Sequence, residues 1–217
     1  MSITPTELPL FPLNVVLFPG TVLPLHIFEG RYRQMVADCQ RDNKPFGVVL
    51  LRPESEHLHE VPHEIGTIAE IRNVDRLKDG RYNLIAIGTQ RFRIIRQHHN
   101  RSYLSAFIAP YEDEIEPEEE LSEHLAQARE LFGTYLDILL KAGGESDLQA
   151  NLPDGPEALS HFIAYILDIQ DEQKQYFLEL TSTRRRLQEE IHILRREVPF
   201  MRQILGKKLP DERARLN

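Results

Sequence analysis

The chain has 217 residues, 41% of them hydrophobic and 28% charged, and a formal net charge of −8. That balance belongs to a globular protein with room for one large domain or two small ones, and it excludes a disordered or fibrous chain. A single cysteine, Cys39, excludes an intramolecular disulfide and a Cys-based zinc site, and it points to a reducing compartment.

The charge is unevenly spread. From Arg184 to Asn217 ten Lys/Arg stand against five Asp/Glu, which leaves 16 against 29 for residues 1–183. So acidic a body disfavours a broad nucleic-acid surface, and the basic C-terminal segment leaves room only for a small one. The N-terminal stretch is apolar, but no basic region precedes Leu8, and Pro9, Pro12, Pro19 and Pro24 interrupt the run. Neither a signal peptide nor a spanning helix fits it, so a soluble, cytoplasmic protein with no membrane partner is expected.

In chain order, residues 8–28 read as short extended pieces punctuated by proline, with Phe18-Pro19-Gly20 as a turn. A helix is expected from Glu29 to Arg41, with Phe28, Tyr32, Met35, Val36 and Cys39 on its buried face. Cys39 there is a small buried apolar residue rather than a reactive thiol. "FGVVLL" (46–51) and "IGTIAEI" (65–71) read as strands, and Asp79-Gly80 as the turn of a hairpin. "RFRIIRQ" and "SYLSAFIAP" continue the series, so the first half is a small barrel or folded-over sheet with one helix.

The composition changes at "EDEIEPEEE" (112–120), where seven of nine residues are acidic. The run reads as a solvated linker that places acids on the first turn of a helix, where the dipole favours them. Leu121, Leu125, Ala128, Phe132, Leu136 and Leu139 form the stripe of that helix, closed by Gly143-Gly144. Pro156 opens a second helix, a third runs from Glu172 to Leu180, and Thr181 or Ser182 caps a fourth carrying Leu187, Ile191, Leu194 and Val198. Arg184–Arg186 and Arg195-Arg196, interleaved with Glu189, Glu190 and Glu197, read as a solvated, salt-bridged face of that last helix.

One motif invites a catalytic reading. His59, Glu60 and His63 spell H-E-x-x-H, and Gly66 extends the match to a longer zinc-protease signature. The chemistry needs both histidines one helical turn apart, with Glu60 aimed at the metal-bound water. Pro62 inside the motif opposes a helix, an alternating strand follows, and Ala69 stands where the third histidine of the longer signature belongs. The stretch is therefore read as a polar loop, with His57, His59 and His63 able to pick up a metal adventitiously. No phosphate-binding loop, nucleophile elbow or dinucleotide-type glycine loop occurs, so no catalytic residue and no cofactor is expected.

"LPLFPLNVVLFPGTVLPLHIFEGRYRQMV", followed in order by "FGVVLL", "EIGTIAEI", "DGRYNLIAIGTQRFRI" and "YLSAFI", resembles the Lon substrate-binding domain, the N-terminal domain of ATP-dependent Lon proteases. "DEQKQYFLEL" and "RRRLQEEIHILRREV" resemble that family's helix pair, so the similarity spans residues 8–205. Gly30 departs from the proline that the family often carries after the Phe28-Glu29 pair, which loosens the helix start. The resemblance implies an α+β fold, a PUA-like β pseudo-barrel (1–115) followed by a helical bundle (116–217), together one such domain. It also implies a stand-alone, non-catalytic module that recognises unfolded or tagged polypeptides, as a proteolytic adaptor or in concert with a separate ATPase or protease. It transfers no binding residue, since Phe11, Leu13, Val16, Phe18, Leu23, Leu25 and Ile27 read as core and turn positions. RNA binding through the barrel and the basic tail is the alternative, and a hydrolase with an unrecognised site ranks below it. A homodimer through the apolar helical half is compatible with the pattern.

Overall fold

The computed structural model describes residues 6–54, 60–144 and 151–208. The chain divides into two compact units, one of Met1–Asp113 with Ala164–Thr181 and the other of Glu114–Ile163 with Ser182–Asn217.

In the first unit, strands β1 (Thr6–Leu13), β2 (Val22–Ile27), β3 (Phe46–Leu50), β4 (Ile65–Arg76), β5 (Tyr82–His98) and β6 (Ser105–Pro110) form one sheet in the order β2-β5-β4-β3-β1-β6. A further pairing of β5 with β6 closes five of the strands into a ring and leaves β2 outside it. The length of β5 makes this possible. Its first half, from Tyr82 to Ile87, pairs with β2, and its second half, from Phe92 to His98, pairs with β6. The two sequence runs on either side of Gly88 are thus one strand. Gly88 is required where the chain crosses the Phe18 region, because a Cβ there would collide with the Phe18 carbonyl oxygen.

Inside the ring Leu8, Leu10, Val49, Phe92, Ile94, Leu104, Ala106 and Ile108 pack together. A second core lies against helix α1 (Gly30–Asp42), whose Tyr32, Met35, Val36 and Cys39 meet Phe11, Phe46, Leu84 and Ala86. Burial pushes the Cys39 thiol up to about 12, so it packs as a small apolar group. The helix begins at Gly30, and Arg33 N donates to the Glu29 carbonyl at 2.9 Å. It ends at Asn43 in the left-handed conformation (φ 49°), a position asparagine tolerates. The expectation for Phe28 fails here: it precedes the first turn and is 61% exposed, because extended backbone and not helical phase sets its direction.

Helix α4 (Asp171–Glu179) belongs to the same unit. Its C-terminal carbonyls are held by Arg91, which is 5% exposed and donates to Leu178 O and Leu180 O, both at 2.7 Å. Arg91 also pairs with Asp113, and Tyr111 Oη donates to Glu179 O at 2.7 Å.

The second unit is helical, built from α2 (Glu118–Ala142), most of α3 (Pro156–Ile166) and α5 (Thr183–Lys208). Glu118, Glu119 and Glu120 occupy the first turn of α2, as the acidic run led one to expect. Ala128, Phe132 and Leu136 are buried, with Phe132 edge-on to Phe162 at 5.8 Å, and Leu139 falls at the exposed margin. Ser182 caps α5, its hydroxyl accepting from Arg185 N at 3.1 Å. Glu116 completes the cap, accepting from Ser182 Oγ at 2.7 Å and Arg184 N at 2.9 Å.

The solvated face expected of α5 is only partly so. Arg184 and Arg185 reach out to Glu120 and Glu189, but Arg186 and Glu190 are fully buried. Each lies one residue before a member of the apolar stripe, Leu187 and Ile191, so both share its inward half. Arg186 Nε donates to Ser160 Oγ at 2.8 Å and one Nη to Thr183 Oγ1 at 3.2 Å. Neither carboxyl oxygen of Glu190 has a hydrogen-bond donor among the described residues.

Candidate functional site

Strand β2 lies outside the ring, and only one of its faces meets the core. Leu23, Leu25 and Ile27 point inward against the α1 core. Val22, Pro24 and His26 therefore point outward, opposite Ile87, Ile85 and Asn83 of β5. Val22 is 46% exposed, Ile85 40% and the adjoining Phe28 61%. The Phe28 ring lies beside His26, with centroids 6.3 Å apart.

A polar rim fixes one end of this apolar strip. His26 Nδ1 donates to Asn83 Oδ1 at 2.7 Å, and an Arg81 Nη donates to His26 Nε2 at 3.3 Å. A guanidinium can only donate, which makes Nε2 the accepting nitrogen of this arrangement. Arg81 is itself paired with Asp79 at 2.6 Å. The imidazole is thus held in place beside Phe28. Such a strip, apolar at its centre and hydrogen-bonded at its rim, suits contact with another chain's apolar side chains and offers no nucleophile or acid–base pair.

The H-E-x-x-H residues are dispersed. His57 and His59 lie outside the described residues. Glu60 accepts from Arg31 at 2.6 Å and from Tyr32 Oη at 3.2 Å, so its carboxylate is turned onto α1. His63 stands between Glu172 at 3.3 Å and Glu179 at 3.4 Å of α4. No helix forms from Glu60 to Glu64; Pro62 instead bridges to Leu51 and Ile65 opens β4. Among the described residues no group of three or more His, Cys, Asp or Glu side chains could hold a metal ion.

Sequence reasoning missed the β2–β5 strip because it assigned Leu23, Leu25 and Ile27 to the core and left their neighbours unplaced. The alternation in "VLPLHI" was the available signal, with Pro24 marking an edge strand. It also missed Arg91, a cation in the middle of a strand, for which no local pattern exists.

The ring with its outlying strand and its helices defines the class, an α+β chain with a PUA-like pseudo-barrel. The chain belongs to the Lon substrate-binding domain family: residues 7–196 match the model of the ATP-dependent protease La (LON) substrate-binding domain. It is 32% identical over 182 residues to a Lon protease of Paraburkholderia phytofirmans, covering 80% of this chain and 22% of that protein. Against Lon protease 2 of Myxococcus xanthus the identity is 28% over 200 residues, covering 89% and 24%. The chain thus spans about a quarter of the length of these relatives. A crystal structure of a Lon N-terminal domain protein from Xanthomonas campestris superposes with a TM-score of 0.62 at 30% identity, covering 85% of this chain and 96% of that one. The N-terminal domain of Mycobacterium avium complex Lon protease shares the fold, with a TM-score of 0.68 at 19% identity and coverage of 87% and 98%. The similarity is to the substrate-binding part of Lon and not to a catalytic part. Among the described residues no helix is long and apolar enough to cross a membrane.

Proposed function

We propose that this chain is a non-catalytic module that binds exposed apolar segments of unfolded polypeptides, working in the cytoplasm as an adaptor for proteolysis. Membership of a substrate-binding family supports the class of ligand. The observation that carries the reading is the outward strip of Val22, Pro24, Ile85 and Phe28 on the β2–β5 ribbon. Large apolar side chains held outward cost solvation in the free protein, and covering them recovers about 25 cal/mol per Å².

The test is fluorescence anisotropy with labelled, reduced and carboxymethylated α-lactalbumin, a permanently unfolded chain. The wild type binds and retains binding in high salt, since apolar contact is not screened. A double variant, Phe28→Ser with Ile85→Ser, weakens binding about tenfold, the loss of ~1.4 kcal/mol expected for two apolar anchors. Unchanged affinity in that variant overturns the strip as the site. Binding of RNA that falls steeply with salt, with no binding of the unfolded chain, replaces the reading altogether.

A further inference from the structure

A second surface of the first unit has the form of a strand-binding groove. The β3–β4 ladder runs only through Phe46↔Ala69, Gly47↔Ile68 and Val48↔Thr67. Before Phe46 comes Pro45, which has no N–H to continue it, and the turn at Asn43–Pro45 carries the chain off into α1. Strand β4 nevertheless continues to Arg76, paired on its other side with β5 as far as Arg76↔Tyr82. From Glu70 onward the side of β4 that faced β3 therefore has no strand neighbour among the described residues.

That free edge is one wall of a groove of about 680 Å³, lined by Glu70–Val74 on the strand side. Gln40, Asn43, Lys44 and Pro45 form the opposite wall. Ile71 and Val74, packed against the α1 core, supply an apolar floor. A strand's main chain needs a partner with the same repeat, which only another extended polypeptide offers. Charge narrows the choice. Arg72 is neutralised by Glu70 at 3.0 Å, whereas no described acid pairs with the exposed Lys44 ammonium.

We propose that this groove accepts an extended polypeptide segment, carrying a carboxylate opposite Lys44, that adds as a strand to the free edge of β4. The inference rests on the reading that the domain takes unfolded polypeptide, and it adds a main-chain site distinct from the apolar strip.

Hydrogen exchange followed by mass spectrometry, on the full chain with and without carboxymethylated α-lactalbumin, tests it. The expected result is slowed exchange across residues 70–76 in the complex, since an added strand protects outward-facing amides. Lys44→Glu, at an exposed position, weakens binding about tenfold while the thermal midpoint stays put. Protection confined to residues 22–28 and 83–87, with Lys44→Glu binding as wild type does, overturns the groove and leaves the strip standing. Absence of any protection and any binding overturns both. Protection at 70–76 in the protein alone, together with a dimer in sedimentation, assigns the edge to self-pairing and overturns the proposal.

Discussion

Arg91, near the middle of β5, donates to the Leu178 carbonyl at the end of α4 at 2.7 Å, across 87 residues of sequence. The same Nη1 reaches Leu180 O, and Nη2 pairs with Asp113, so one buried guanidinium holds a helix end and the chain beyond β6. Orphan helix carbonyls are satisfied by a cation, which is favoured there by the dipole. Replacing Arg91 with methionine keeps the apolar stem but removes the guanidinium from Asp113, whose side chain is 9% exposed. The expected cost in urea unfolding is about 3 kcal/mol, as for breaking a buried pair. Arg185→Ala removes an exposed i,i+4 pair with Glu189 and costs about 0.3–0.5 kcal/mol.

Glu190 gives a pH dependence of unusual sign. Burial pushes its carboxyl well above the usual carboxylate range, against the opposing pull of Arg186. In the unfolded chain it titrates near 4.5. A raised acid pKa means that the unfolded state gains by ionising first, so this residue's contribution is best below pH 4.5 and is lost as pH rises above it. Glu190→Gln therefore raises the melting temperature at pH 7 and changes it little at about pH 4, read by differential scanning calorimetry.

Asp38 works in the opposite direction. Burial pushes its carboxyl up, but hydrogen bonds from Tyr103 at 2.8 Å, Gln34 at 2.9 Å and Arg41 at 2.8 Å outweigh it and hold the group below its ordinary value of 3.8. A lowered acid pKa stabilises the fold above about pH 3.8, and that stability is lost as pH falls through the folded value. Asp38→Asn costs about 1–3 kcal/mol at pH 7. The difference from wild type shrinks below pH 3.8 in the same calorimetric series. Tyr103, raised to about 12 by burial and by Asp38, stays protonated at pH 10.5 in a spectrophotometric titration.

Gly88→Ala tests the close crossing of β5 and the Phe18–Thr21 turn. Gly88 N donates to Thr21 O and Gly20 N to Gly88 O, 2.9 and 2.8 Å, which fixes the two backbones against each other. The added methyl meets backbone and not a movable side-chain tip. A loss of about 1–3 kcal/mol follows, measured by denaturant midpoint.

The sequence was most legible where periodicity and burial coincide. The α1 face of Tyr32, Met35, Val36 and Cys39, the stripe of Ala128, Phe132 and Leu136, and the run of Leu187, Ile191, Leu194 and Val198 are all buried as their spacing requires. Where a long-range partner decides the outcome, local pattern was silent or misleading. Arg186 and Glu190 looked solvated because charge normally is, and the arginine's bonds to Ser160 and Thr183 have no local signature. Phe28 was assigned inward on helical phase, one residue before a helix's cap could confer it. The H-E-x-x-H spelling owed its appeal to letters alone, since Glu60 answers to Arg31 on another element. The apolar strip was half visible, through the alternation around Pro24, yet which face lay outward depended on β5.

The interleaving of the two units sets an order in time. Strand β1 pairs with β6 through Thr6↔Ile108, so the ring stays open until a ribosome has translated past that point. The first unit still lacks α4 then, and the whole of α2 emerges before residues 164–181 do. Arg91 therefore waits without the Leu178 and Leu180 carbonyls while helices of the other unit are made. Long-range pairing of this kind is slow and exposed to misassembly.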